Sequence, residues 1–265
     1  MPFFELAPGI KLHYIDLNPA AKPVLLLHGL GANCESWQLQ TLFLVEHGFR
    51  VLVPDVPGFG KSDPLGGGAS VKRIAGSIGE WLSDLNVAPL TVVGISMGAA
   101  IGLELALDFP EYIDKMVLVS AFARLEIFNF KTWPYFLWRY FLLQVFGLGS
   151  QADAVARRVF PYPGQVEYRR EFIRQICAAD PKGYRAMMRA LARFNVEKQL
   201  SKVKAPALII TGENDTTVLP ESQAKLARLL PNASQVIIPN AGHAVSIDQP
   251  VLLNNHLIEF LSEYS

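Results

Sequence analysis

Ser96, Asp215 and His243 are the residues of this 265-residue chain whose types and surroundings point to chemistry. Ser96 lies in Gly94-Ile95-Ser96-Met97-Gly98, between an apolar strand-like stretch, Leu90 to Val93, and an apolar helical stretch, Met97 to Phe109. A serine on so sharp a strand-to-helix turn is forced into strained backbone. Side chains two residues to either side would collide with the flanking strand and helix, so the geometry asks for glycine at both places. Ala99, Ala100 and Gly102 keep the first helical turns slim. The helix N-terminus adds unpaired N–H groups and a positive dipole end beside the hydroxyl, which suits a reaction that builds negative charge there.

A serine hydroxyl is a weak nucleophile near neutral pH and needs a base within hydrogen-bond reach, itself oriented by a third group. Asp215 follows a stretch read as a buried strand, Ala207 to Thr211, and His243 follows a second strand, Gln235 to Ile238. Both therefore stand in loops beyond strand ends, and in open parallel sheets these carboxyl ends converge where ligands bind. His243 would take the serine proton during attack and return it to the leaving group. Asp215 would hold the imidazole tautomer and stabilise the imidazolium.

Further strands are expected at Val24 to Leu27, Arg50 to Val53, Leu90 to Val93 and Met116 to Val119, alternating with helical segments. Phe3-Phe4-Glu5 and Lys11 to Ile15 read as an opening hairpin turning at Pro8-Gly9, and Ser70 as the N-cap of a helix running to Leu85. Such alternation implies an α/β fold: a mainly parallel, eight-stranded-type sheet flanked by helices and joined by right-handed crossovers. Between Ser120 and Ala205 the alternation stops, and helical periodicity with aromatic clusters replaces it. The chain is accordingly divided into a first core part, 1–121, an inserted helical cap or lid, 122–200, and a second core part, 201–265. Within the cap a dense aromatic run, Phe128 to Phe146, supplies Trp133, Trp138 and Phe141 as candidate substrate-binding residues lining an acyl pocket.

Hydrophobic residues make up 51% and charged residues 18%, with 24 Lys/Arg against 24 Asp/Glu, which describes a compact globular protein and argues against a nucleic-acid binder. Neutrality conceals an asymmetry: Phe122 to Leu200 holds 13 Lys/Arg against 6 Asp/Glu, the remainder 11 against 18. Two readings stay open for that basic cap, solvated outer faces of amphipathic helices or a surface for an anionic substrate, carrier or membrane. Cys34 and Cys177 form neither metal-ligand spacing nor a disulfide framework. The N-terminal residues lack the basic and apolar regions of a signal peptide, so cytoplasmic residence is expected. Leu90 to Leu107 is apolar enough to suggest a span, but the serine turn and Glu104 interrupt it, and no stable membrane insertion is expected. Gly60-Lys61-Ser62 lacks the glycine that a phosphate-binding loop needs at position 55, where Asp55 stands. With no dinucleotide fingerprint and no zinc spacing, no cofactor and no metal are implied.

Over nearly its whole length the chain resembles the α/β-hydrolase superfamily, capped single-domain branch. The resemblance rests on the serine turn, on the order Ser, Asp, His, on His28-Gly29-Leu30-Gly31 after a strand, and on the loop Asp55-Val56-Pro57-Gly58-Phe59-Gly60-Lys61-Ser62-Asp63. It implies a serine hydrolase, carboxylesterase-like, acting on a small-molecule ester with an apolar acyl group. By the family's pattern the oxyanion hole would use the backbone N–H groups of Leu30 and Met97, with His28 holding the oxyanion loop and Asp55 and Asp63 ordering theirs. Some members carry the acid after the preceding strand, where this chain has Ser120-Ala121; Asp248 is read as a loop or helix-start residue. Carbon–carbon hydrolases of this fold commonly have Trp after the catalytic His, and here Ala244 stands there. Lactonase, thioesterase, perhydrolase and carbon–carbon hydrolase activities, and a ligand-binding receptor retaining the triad, remain the alternatives.

Overall fold

A computed structural model describes residues 2–66, 68–126 and 130–262; Met1, Gly67, the 127–129 stretch of the aromatic run, Phe128 included, and the last three residues fall outside it. Eight strands form one sheet: β1 (Phe3–Ala7), β2 (Ile10–Leu17), β3 (Lys22–Leu27), β4 (Phe49–Pro54), β5 (Leu90–Ile95), β6 (Ile113–Val119), β7 (Ala207–Gly212) and β8 (Ala233–Ile238), in the order β1-β2-β4-β3-β5-β6-β7-β8. The opening hairpin pairs antiparallel and β2 meets β4 antiparallel; every later pairing is parallel. Parallel strands cannot be joined by tight turns, so helices cross over the faces. These are α1 (Gln38–Glu46), α2 (Val71–Asp84), α3 (Met97–Asp108), α4 (Trp133–Val145), α5 (Gly147–Val159), α6 (Val166–Ala178), α7 (Pro181–Arg193), α8 (Pro220–Leu229), the short α9 (Val245–Asp248) and α10 (Pro250–Ser262).

The inner strands, β3 to β7, are largely apolar without alternation because both faces of the sheet are covered there. In β3, Leu25 and Leu27 join one core with Ile78, Trp81, Ile101 and Leu103 from α2 and α3. Val24 and Leu26 join the other core with Leu44, Leu257 and Phe260 from α1 and α10. All four β3 side chains are fully buried, and full burial of a Val or Leu side chain contributes roughly 1.5–3 kcal/mol. Ser70 caps α2, its Oγ accepting the Arg73 N–H at 3.1 Å.

Four helices, α4 to α7, intervene between β6 and β7, which are themselves neighbours in the sheet. The chain is stapled where it leaves and rejoins the sheet: Val196 N donates to Ala123 O at 3.0 Å, beside an antiparallel bridge between Arg124 and Asn195. Inward-facing residues of this segment, among them Leu143, Ala152, Ile176, Tyr184 and Met187, merge with the α2/α3 core. Among the described residues, no helix is long and apolar enough to cross a membrane.

Candidate active site

Ser96 stands between β5 and α3 at φ 54 and ψ −108, a left-handed conformation that a non-glycine residue adopts only when the surroundings compel it. The compulsion is visible on both sides: Ser96 N donates to Val119 O at 3.0 Å, extending the β5/β6 pairing, while Ser96 O accepts Ala100 N at 3.1 Å, opening the helix. The two glycines serve close approach of backbone to backbone. A Cβ at Gly94 would lie 2.5 Å from the Gly98 carbonyl, and one at Gly98 would overlap the carbonyl oxygen of Leu27 at the end of β3.

The β7 and β8 loops bring Asp215 and His243 together. His243 Nδ1 lies 2.9 Å from Asp215 Oδ2, which also accepts Gln223 Nε2 at 3.1 Å. Asp215 Oδ1 accepts the backbone N–H groups of Thr217 and Val218 at 2.8 and 2.9 Å, so a carboxylate that is 2% exposed has four donors aimed at it. The loops are laced to each other by Asn214 N to Ala241 O at 2.8 Å and Glu213 N to Ile238 O at 3.0 Å. Gly212 is packed so tightly that a Cβ there would overlap the Gly242 carbonyl oxygen. Ser120, which follows β6, donates its hydroxyl to His243 O at 3.0 Å and so steadies the His243 backbone. Asp248 does not meet the imidazole: its carboxylate accepts Gly242 N at 2.8 Å and Gln165 Nε2 at 2.6 Å, tying the His243 loop to the inserted helices. Burial pushes the Asp248 carboxyl above the ordinary range. Ser120 and Gln165 carry no local sequence signal, because their partners are brought up by the fold from distant positions, and Gln223, eight residues after Asp215, reaches back to it only because α8 folds over the loop.

His28 is fully buried at the start of the loop after β3. Its Nδ1 lies 2.9 Å from Gly29 O and its Nε2 accepts Val56 N at 2.9 Å, which requires the neutral ring with the proton on Nδ1. Burial lowers its pKa accordingly. Its partners are thus loop backbone, and Leu30, two residues on, lines the cavity beside Ser96. Met97 opens α3, so its N–H belongs to the helix's first turn, which has no intrahelical acceptor. Asp55 organises the following loop, accepting Cys34 N, Lys61 N and the His13 ring, each at 2.8 Å. Burial alone would raise its pKa, but the bonds from Lys61 N and Cys34 N, together with the neighbouring His28 and Cys34 side chains, hold it low. Asp63 Oδ2 accepts Lys11 N at 2.8 Å. His13, Cys34 and Asp55 place ligand-type atoms within 4.8 Å of one another, yet burial, with the Asp55 charge beside it, keeps the Cys34 thiol protonated, and Asp55 is already engaged by N–H donors.

Ser96, Leu30 and His243 open into one cavity of about 570 Å³, lined by Trp37, Ile95 and Ala244 from the core and Phe136, Leu143, Val155, Phe160 and Met188 from the insert. The residues expected to line it divide. Trp133 does so, whereas Trp138 and Phe141 stack on each other outside the lining, with ring centroids 5.6 Å apart and about half of each side chain exposed. Helical phase is the reason. At roughly 100° per residue, positions 133, 136, 137, 139, 140 and 143 fall on one arc of α4, and 138 and 141 on the other side. On the basic outer faces, Arg157, Arg170 and Arg174 are held in exposed ion pairs with Asp153, Glu167 and Glu171.

A parallel sheet with this strand order, a strained serine between β5 and α3, and a His–Asp pair on the loops after β7 and β8 define an α/β hydrolase. Residues 22–250 match the family described as alpha/beta hydrolase fold, and the chain belongs to it. It is similar to a putative carbamate hydrolase RutD of Variovorax paradoxus, at 29% identity over 97% of this chain and 98% of that one. A 3-oxoadipate enol-lactonase 2 of Acinetobacter baylyi is 27% identical over 98% of this chain and 97% of its own. Among solved structures, a thermophilic esterase from Thermogutta terrifontis superposes with a TM-score of 0.83 at 26% identity, covering 96% of this chain and 94% of that one. The family and its named members make this chain a hydrolase.

Proposed function

We propose that this hydrolase cleaves carboxylic esters with apolar acyl groups through an acyl-enzyme on Ser96. Ser96 Oγ attacks the ester carbonyl while His243 Nε2 takes its proton. The tetrahedral oxyanion is met by the N–H groups of Leu30 and Met97, and loss of one such donor typically costs 10²-fold to 10³-fold in rate. The C–O bond to the alcohol then breaks, with the proton passing from His243 to the leaving oxygen. A water molecule, deprotonated by the same imidazole, attacks the acyl carbonyl and frees Ser96. Asp215 keeps the His243 proton on Nδ1 throughout, so that Nε2 faces the reaction as a base.

The observation that carries this reading is the opening of Ser96 and of His243, itself paired with the buried Asp215, into a single, largely apolar cavity. A lactone is an internal ester and would follow the same steps, a reading favoured by the likeness to an enol-lactonase. The test is exposure to a fluorophosphonate followed by peptide mass spectrometry, alongside turnover of a graded series of 4-nitrophenyl esters. The adduct is expected on Ser96 and turnover is expected to stop with it. An adduct elsewhere, or ester turnover that survives Ser96→Ala, would defeat the assignment.

A further inference from the structure

Three arginines of the insert line the Ser96 cavity, Arg139 from α4 and Arg185 and Arg189 from α7, and no aspartate or glutamate is among the described lining residues. Arg139 is the most deeply placed, at 7% exposure. Its guanidinium lies 5.4 Å from the ring centroid of Tyr135, and Nη2 reaches the Tyr184 hydroxyl at 3.4 Å, an oxygen that Gln151 Nε2 also approaches at 3.3 Å. Its Nε is buried without a partner, as are the Tyr135 hydroxyl and Gln151 Oε1. Among the described residues no carboxylate forms an ion pair with Arg139. A guanidinium does not lose its proton in proteins, and an uncompensated buried charge is among the costliest arrangements a fold sustains. The arrangement is accounted for if the missing counter-charge arrives with the occupant of the cavity.

We infer that the substrate carries a carboxylate at the end remote from the scissile carbonyl, and that Arg139, backed by Arg185, is its subsite. This rests on the ester-hydrolase reading and narrows its substrate class to acyl chains, or lactones, ending in a carboxylate. The fork of N–H donors on a guanidinium matches the two oxygens of a carboxylate, and the Tyr135 ring and the Tyr184 hydroxyl hold that fork in place. The apolar lining shared by Arg139 and Ser96 accepts the methylene chain that joins the two ends, and Leu137 and Tyr140, on the same arc of α4 and half-exposed, belong to that lining.

The experiment compares mono-4-nitrophenyl esters of linear dicarboxylic acids with 4-nitrophenyl esters of monocarboxylic acids of matched length. Wild type is expected to favour the carboxylate-bearing partner in kcat/KM by about 10-fold to 100-fold, expressed mainly in KM, the size of a charge-assisted hydrogen-bonded pair. Arg139→Gln is expected to collapse that ratio, and Arg139→Lys, which keeps the charge but loses the fork, to retain part of it. A purely structural role for Arg139 would lower both substrates together and leave the ratio standing, which overturns the proposal. So does a wild-type ratio at or below one, whether or not any variant folds. Arg157→Gln, an exposed residue outside the cavity, is expected to keep the wild-type ratio; if it removes the preference instead, the effect is long-range steering and the subsite is refuted. Should neither ester turn over, the acyl-enzyme reading fails while the subsite stays testable. Calorimetric binding of the free dicarboxylates that disappears in Arg139→Gln would then support it, and no binding to wild type would refute it.

Discussion

Asp215→Asn isolates the electronic part of the site from its architecture. Thr217 N and Val218 N both donate to Oδ1, at 2.8 and 2.9 Å, so the amide oxygen of an asparagine settles there and its NH₂ falls at the Oδ2 position. The opposite orientation would set an amide donor against two backbone donors. At the Oδ2 position the new NH₂ faces His243 Nδ1 at 2.9 Å and Gln223 Nε2 at 3.1 Å. Nδ1 can answer only by becoming an acceptor, which moves the ring proton to Nε2 and removes the base from Ser96. The expected loss in kcat is about 10⁴-fold, roughly 5 kcal/mol of transition-state stabilisation. The cost to folding is smaller, about 1.5–3 kcal/mol, because Gln223 loses one charge-assisted bond but keeps Val218 O at 2.8 Å. Turnover of a 4-nitrophenyl ester, the rate of Ser96 labelling and urea unfolding together separate the two effects. Asp248→Asn, whose carboxylate meets Gly242 and Gln165 and not the imidazole, is expected to lose less than about 10-fold. A folded Asp215→Asn enzyme within tenfold of wild type would refute the reasoning, most plainly if Asp248→Asn were the inactive one.

Two further outcomes are expected. Chain-length preference should shift when Phe136 or Leu143 is truncated to alanine and should hold in Trp138→Ala and Phe141→Ala, since only the first pair faces the cavity; a ladder of acyl esters reads this, and the reverse pattern would overturn the assigned phase of α4. Burial holds His28 below the ordinary imidazole value of about 6.5, so below that pH the unfolded chain binds a proton the folded chain does not. Stability is then complete above about pH 6.5 and falls on acidification by up to about 1.4 kcal/mol per pH unit, as seen in urea midpoints between pH 7 and 5. His28→Gln should reduce that slope by one proton, and an unchanged slope would refute the assignment.

Strand-end positions are the part of the site most legible in the sequence. Asp215 and His243 follow short apolar runs that read as strands, buried in β7 and half-exposed at the sheet edge in β8, and Gly94 and Gly98 mark a turn with no room for side chains. The sheet is readable for the same reason, although β3 begins at Lys22 rather than Val24, where an exposed lysine blurs the apolar pattern, and β6 at Ile113 rather than Met116, where Asp114 and the buried Lys115, its Nζ on Leu261 O, interrupt it. The lining of the cavity was not readable. α4 is apolar around nearly its whole circumference, so nothing in Trp133 to Phe146 tells which side faces in, and Trp138 and Phe141 are as hydrophobic as Phe136 and Leu143. Arg139 in that run looks like an interruption until the helix phase turns it inward. In the sequence Ser120 signals only that no acid follows β6. Its hydroxyl on His243 O joins residues that only the completed sheet makes neighbours.

The staple between Ala123 and Val196 bears on how a chain of this kind can change. Since β6 and β7 are adjacent, everything from Arg124 to Asn195 is, topologically, one long excursion that ends where it began. Ser96, Asp215 and His243 all lie outside that excursion, whereas Arg139 and most of the apolar wall lie within it. Selection, or a protein engineer, can therefore exchange the excursion for one of different length and lining without shifting a single sheet register. On the proposed function, the residues that break the bond and most of those that choose the substrate are carried by different stretches of the chain, and grafting at Ala123 and Val196 is the cut that would test their separate transfer.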